Sequence, residues 1–382
     1  MFRYSLKAKD SDASNAELLV ARWIGHRYAI GVNSCSSAIF VSMRVAGVKV
    51  GDKVLTNAFT FTAIPSTIHN LGATPIFVES TEGFQMDIPH LEAQIAAHPD
   101  AKTILLSHFR GKLSDCDTIA MLAAKHGLVL IEDCAHAMGV TYKGKPAGRK
   151  GHLAVYSVQS DKVINAGEGG FVTTNNKGWA AKLVFLSGAY EKRYTHHLAA
   201  PVEDVELMEH EMTHQQNCSF RMTNVTGAMV CAQMPHLPRR VAEWNANGNT
   251  LLAALKPAIH TGHLVVPPEV EGAVGCFDHL VFSTPTFDQE QRNQLAMMCK
   301  SRGVALKPFG TYYNARFFKN WNFLPEGIRA SMPKTEQIVR SSWDMKMPLC
   351  FNQDDWRQIG CILIEAIAEV AKLPKTDLHV AN

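Results

Sequence analysis

Residues 128–175 read LVLIEDCAHAMGVTYKGKPAGRKGHLAVYSVQSDKVINAGEGGFVTTN. An apolar run over 128–131 stops at Glu132-Asp133, and a second over 153–158 stops just before Lys162. A Gly-Glu-Gly-Gly turn at 167–170 leads into a third run over 171–174. Short apolar runs ending in polar residues read as buried strands that present chemistry at their ends. Asp133 and Lys162 stand 29 residues apart, far enough to come from different strands facing one pocket.

A carboxylate and a lysine placed this way suit pyridoxal 5′-phosphate. The lysine holds the cofactor as a Schiff base and shuttles protons, while the carboxylate keeps the pyridine nitrogen protonated. The stretch resembles the DegT/DnrJ/EryC1/StrS family of sugar aminotransferases. Glu132-Asp133-Cys134-Ala135-His136 is similar to that family's E-D-x-A-Q/H box. Ser157 to Lys162 is similar to its S-F-x-x-x-K, with G-E-G-G following five residues after the lysine. The departures here are Val158 and Asp161.

Upstream, Asn33-Ser34-Cys35-Ser36-Ser37-Ala38 opens a helical pattern that continues to about residue 46. Small hydroxyl residues at a helix start serve as a plain N-cap or as a phosphate site. The family carries S-G-T-x-A there, so Ser36 matches its Thr while Cys35 replaces Gly. Phe61 matches the aromatic of T-F-V-A that lies over the cofactor ring in relatives; the alternative is an ordinary core phenylalanine. Arg110, in a loop where the family has H-x-aromatic-G, either meets an acidic group on a substrate or faces solvent. Residues 217–223 resemble the box G-x-N-x-R-M-[ST], with Arg221 at the Arg position. Ser219 stands where the family Asn reaches across a dimer interface to the partner's phosphate.

Elsewhere the chain alternates. Strand patterns at 28–32, 54–56, 75–78 and 103–107 are interleaved with helical ones at 63–71, 88–97 and 116–126. Ser14 to Glu17 reads as a capping box opening a helix that ends near Gly25. Alternation of this kind predicts a mostly parallel sheet flanked by helices, and the resemblance implies the fold type I of pyridoxal phosphate enzymes. The expected division is a large cofactor-binding domain over 1–245 and a small C-terminal α+β domain over 246–382. The second contains strands at 264–266 and 279–283 and helices at 288–301 and after Asn352. A further helix spans 240–255.

The 382 residues carry a net charge of +3 with no dense basic run, which gives no reason to expect nucleic acid. No apolar stretch reaches membrane-span length, and the first 14 residues lack a leader's apolar region. Nine scattered cysteines without C-x-x-C spacing point to a reduced, cytoplasmic protein. His210-Glu211-Met212-Thr213-His214 matches H-E-x-x-H, but with no evident third ligand it reads as a solvated helix, and no metal is expected.

The resemblance implies that Lys162 carries the cofactor, Asp133 supports its ring nitrogen and His136 neighbours its ring hydroxyl. Phe61 stacks on the ring, and Ser34, Cys35, Ser36 and Ser157 hold the phosphate. Ser219 is the expected crossing contact in a homodimer with shared active sites. The expected reaction moves an amino group from an amino acid such as glutamate to a small-molecule keto acceptor, a nucleotide-linked keto sugar. The alternative is lyase, decarboxylase or cyclisation chemistry on an amino acid. A dehydratase would carry His in place of Lys162, and a regulatory protein would have no need of the Asp133–Lys162 pair.

Overall fold

The computed structural model describes residues 11–329 and 332–375. The leader-free reading of residues 1–10 lies outside them. Seven strands form the central sheet: β1 (Tyr28–Val32), β2 (Lys53–Asn57), β3 (Thr74–Val78), β4 (Thr103–Ser107), β5 (Val129–Asp133), β6 (Leu153–Ser157) and β7 (Gly170–Thr174). Their order is β1-β7-β6-β5-β4-β2-β3. β1, β4, β6 and β7 are buried at every residue, as expected of strands covered on both faces. The interior pairs from β6 to β3 are parallel, while β7 runs antiparallel to both β6 and β1. No helix separates β6 from β7, so the chain returns beside the strand it has just left.

Helix α1 (Asp12–Ile24) opens earlier than its expected capping box. Ser11 is the cap, accepting from the Ser14 amide at 3.3 Å. Glu17 is not a capping residue. It is buried, accepts the Gly31 amide at 2.8 Å and lies 3.0 Å from His197 Nδ1, tying the helix to β1. Gly25 ends the helix at φ 77°, a left-handed turn that glycine adopts without strain. Helix α2 (Cys35–Val45) follows β1 as expected.

Helix α3 (Leu237–His260) exceeds the 240–255 prediction at both ends. Pro238 lies in its first turn, where a missing N–H removes no helical hydrogen bond. Pro257 lies inside, near the C-terminus, and does not end the helix, because Leu251, Leu255 and Ala258 are all buried. The expected boundary at 245 falls within α3. Trp244 packs with Met138 and Leu237, whereas Leu251 and Leu255 pack with Phe282, Trp343 and Leu363.

The C-terminal part contains β8 (His279–Ser283), α4 (Gln289–Ser301), β9 (Lys307–Pro308), β10 (Ser342–Lys346) and α5 (Gln353–Val370). β10 is the central strand of an antiparallel β8-β10-β9 sheet. Residues 264–266 form no strand; Val265 makes a single bridge to Ser283. The segment after β9 packs back on the large sheet. Phe309 lies 5.2 Å from Phe59 and 5.5 Å from Phe109, ring centre to ring centre. Among the described residues no helix is long and apolar enough to cross a membrane.

Candidate active site

Parallel pairing aligns Ser107 at the end of β4 with Asp133 at the end of β5. Ser107 Oγ donates to Asp133 Oδ2 at 2.9 Å, and the Ala135 amide donates to Oδ1 at 3.1 Å. Ser107 is itself fixed: its Oγ accepts from Thr60 at 2.8 Å, and its amide donates to Asn57 at 2.9 Å. Burial raises the Asp133 pKa, against the pull of these hydrogen bonds and of Lys162. The adjacent Glu132 serves the other face of the sheet. It accepts from the Lys150 and Gly151 amides at 2.7 and 2.5 Å, pairs with His108 at 2.8 Å and lines a separate cavity.

Lys162 sits on a loop laced to the glycine turn. Val158 N donates to Gly169 O, Ser160 N to Gly167 O and Ala166 N to Val158 O, at 2.8–3.1 Å. This lacing accounts for the fixed distance between the lysine and G-E-G-G. Lys162 Nζ lies 2.7 Å from His136 Nε2, where the amine donates to a neutral ring. Burial, then the charge of Arg110, lowers the Lys162 pKa to about 8. Burial, then Lys162, holds His136 well below its ordinary value.

The N-terminus of α2 faces the same space. Ser34 caps it, accepting from the Ser37 amide at 3.1 Å, and the Ala38 amide reaches Ser34 O. The Cys35 and Ser36 amides, in the first turn, have no intrahelical acceptor and carry the positive end of the dipole. Gly170 makes this approach possible: a Cβ there would stand 2.8 Å from Cys35 N. Ser34, Cys35, Ser36, Phe61, Asp133, His136, Ser157 and Lys162 all line one cavity of about 460 Å³.

Ser219 is not among them. It is exposed, its Oγ accepts from Arg221 at 2.7 Å, and its φ of 57° is left-handed. Arg110 follows neither expected course. It is buried against Asp344 of β10, with His279 Nε2 3.3 Å away. Asp161 pairs with Lys346, which lowers its pKa to about 2. His210 and His214 stack at 4.0 Å on the helix Val205–His214, and His214 Nδ1 is 2.7 Å from the His210 carbonyl. Sequence reading missed Ser107 and Arg316 among the cavity-lining residues. Ser107 had a signal in its place at a strand end; Arg316 sits in a loop that no pattern marks.

The donor set fits pyridoxal phosphate. A half-buried amine faces neutral His136 rather than an ion-pair partner, a buried carboxylate lines the same cavity, and free helix amides stand ready for a phosphate. Fold and site together define an aminotransferase of fold type I. The DegT/DnrJ/EryC1/StrS aminotransferase family model matches residues 11–362, and the chain belongs to that family. It is 30% identical to a pleiotropic regulatory protein of Geobacillus stearothermophilus over 86% of this chain and 82% of that one. It is 32% identical to GDP-perosamine synthase of Caulobacter vibrioides over 59% of this chain and 57% of that one. The solved aminotransferase from Psychrobacter cryohalolentis superposes with a TM-score of 0.80 at 26% identity, covering 94% and 92% of the two chains.

Proposed function

We propose that this enzyme transfers the amino group of an amino acid, glutamate in the first instance, to a nucleotide-linked keto sugar. The observation that carries the reading is the convergence of Asp133, His136, Lys162 and the α2 N-terminus on one cavity. The match to GDP-perosamine synthase supports the sugar class of acceptor. The likeness to a regulatory protein is outweighed by the complete Asp133–Lys162 pair, which regulation alone does not require.

When bound, pyridoxal phosphate would supply an aldehyde that takes up and returns the amino group and a ring that serves as the electron sink. Ser34, Ser36, Ser157 and the Cys35 amide would hold its phosphate. Phe61 would pack on its ring, and Asp133 would keep the ring nitrogen protonated. Lys162 would hold the cofactor through its aldehyde carbon, and its Nζ is placed to move a proton to and from the substrate carbon. His136, neutral and 2.7 Å away, accepts from Nζ and orients it. The working form is a cytoplasmic homodimer in which Ser219 reaches the neighbouring subunit's phosphate.

The test is to mix purified holoprotein with single amino acids. Loss of the cofactor's visible band with release of one equivalent of keto acid supports transamination. Release of carbon dioxide or a cyclised product supports the lyase, decarboxylase or cyclisation alternative. An unchanged band with every amino acid overturns the proposal.

A further inference from the structure

Arg316 lies on the segment that carries the C-terminal part back over the large sheet, and it lines the same cavity as Lys162. Its backbone is held firmly. The Arg316 amide donates to Asn314 Oδ1 at 2.9 Å, and Ala315 O accepts from the Thr62 amide and from Trp321 Nε1, each at 3.0 Å. The guanidinium carbon rests over the Phe61 ring, 5.2 Å from its centre. The loop therefore delivers a fixed cation to the cavity wall.

That cation has no countercharge of its own. Among the described residues no carboxylate forms an ion pair with Arg316, and its Nε is buried without a hydrogen bond. The two acids whose charges reach it are engaged elsewhere, Asp161 with Lys346 and Asp344 with Arg110. A partly buried guanidinium near a second arginine and without a partner is unfavourable for stability. The arrangement makes sense when an anion enters the cavity. A guanidinium presents paired N–H groups matched to a carboxylate.

We propose that Arg316 binds a carboxylate of the amino donor, an inference that rests on the aminotransferase reading of the same cavity. An amino-acid donor carries a carboxylate on the carbon that reacts, so it must enter with the amine that exchanges at Lys162. A keto sugar ring carries none, and its diphosphate lies several bonds from the reacting carbon. Arg316 thereby sorts the two half-reactions, recognising the donor by charge and leaving the acceptor to other contacts.

The test uses holoprotein with Arg316→Gln and Arg316→Lys, each checked for an unchanged cofactor band and Tm. Glutarate, which has no amine and cannot react, is titrated by calorimetry beside neutral glutaramide. Arg316→Gln is expected to weaken glutarate binding and the apparent affinity for L-glutamate by about tenfold to a hundredfold, the loss of a charge-assisted contact. Glutaramide binding and the acceptor KM stay within about twofold, and Arg316→Lys recovers part of the loss. Unchanged glutarate binding, or a loss confined to the acceptor, overturns the proposal. Should Arg316→Gln not fold, wild-type protein that binds glutarate no better than glutaramide overturns it as well. Wild-type protein that binds glutarate but takes no amine from any amino acid sinks the aminotransferase reading instead.

Discussion

Arg110 and Asp344 form a buried ion pair between the loop after β4 and the central strand of the small sheet, 234 residues apart in sequence. The pair is incomplete: Arg110 Nε and Asp344 Oδ1 have no hydrogen-bond partner. Arg110→Met leaves a buried carboxylate without its cation and is expected to cost about 3 kcal/mol. Arg110→Met with Asp344→Asn recovers much of that. Denaturant midpoints of the two single variants and the double variant measure the coupling, and simple additivity would contradict it.

Lys162 titrates near 8 rather than 10.5, so its nucleophilic neutral form grows through that range. Cofactor uptake by the cofactor-free protein should accelerate as pH rises through about 8 and then level off. The folded pKa lies below the unfolded one, so between them the unfolded chain holds a proton that the folded chain has lost. Stability of the cofactor-free protein should therefore rise with pH from about 8 toward 10.5, and Lys162→Met should remove that slope. Stopped-flow absorbance and chemical denaturation across pH test both. Lys162→Met should also show no amine transfer.

Asp133→Asn keeps an oxygen for the Ala135 amide and places an amide near Ser107, so its effect on stability should stay within about 1 kcal/mol. Turnover should fall roughly a hundredfold or more, since a neutral amide cannot hold the ring nitrogen protonated. Steady-state rates alongside thermal melts separate the two effects. Normal turnover would place the active site elsewhere.

Gly170→Ala drives a methyl group against Cys35 N and Cα, main-chain atoms that move only with the whole helix start. Cofactor retention should weaken by about 1–3 kcal/mol, the usual range for overpacking. Equilibrium dialysis of the cofactor measures it. Undiminished retention would show that the α2 N-terminus is not the phosphate site.

Ser219 occupies left-handed backbone, which asparagine tolerates better than serine. Ser219→Asn should retain cofactor as well as or better than wild type. Ser219→Ala should lose about 1 kcal/mol of retention, as for one hydrogen bond. Light scattering should show a homodimer, and a fully active monomer would exclude a site shared between subunits.

Residues acting through near neighbours were legible in the sequence. Strands β4 and β8 lie where alternation and turns put them, and Asp133, Lys162 and the glycine turn share a region because their spacing encodes it. Legibility failed where a partner comes from far along the chain. Glu17 has the spacing of a capping residue, yet His197 and the Gly31 amide claim it. Arg110 carries no mark of Asp344, nor Arg316 of Phe61. The reversed direction of β7 was hidden for another reason, since a buried strand has the same apolar pattern either way.

Glu132 and Asp133 are neighbours in the chain but face opposite ways, one bracing the 150–151 loop and the other lining the cavity. Which acid does which job depends on whether its position in the strand is odd or even, not on its chemistry. Inserting a single residue in the middle of β5 would carry Glu132 into the place of Asp133 if the strand's start stayed fixed. The cavity would then receive a carboxylate one methylene longer, and the loop brace would receive Ile131 in place of an acid. Point substitution can tune this site, but a change of length within these five residues would rewire both faces of the sheet at once.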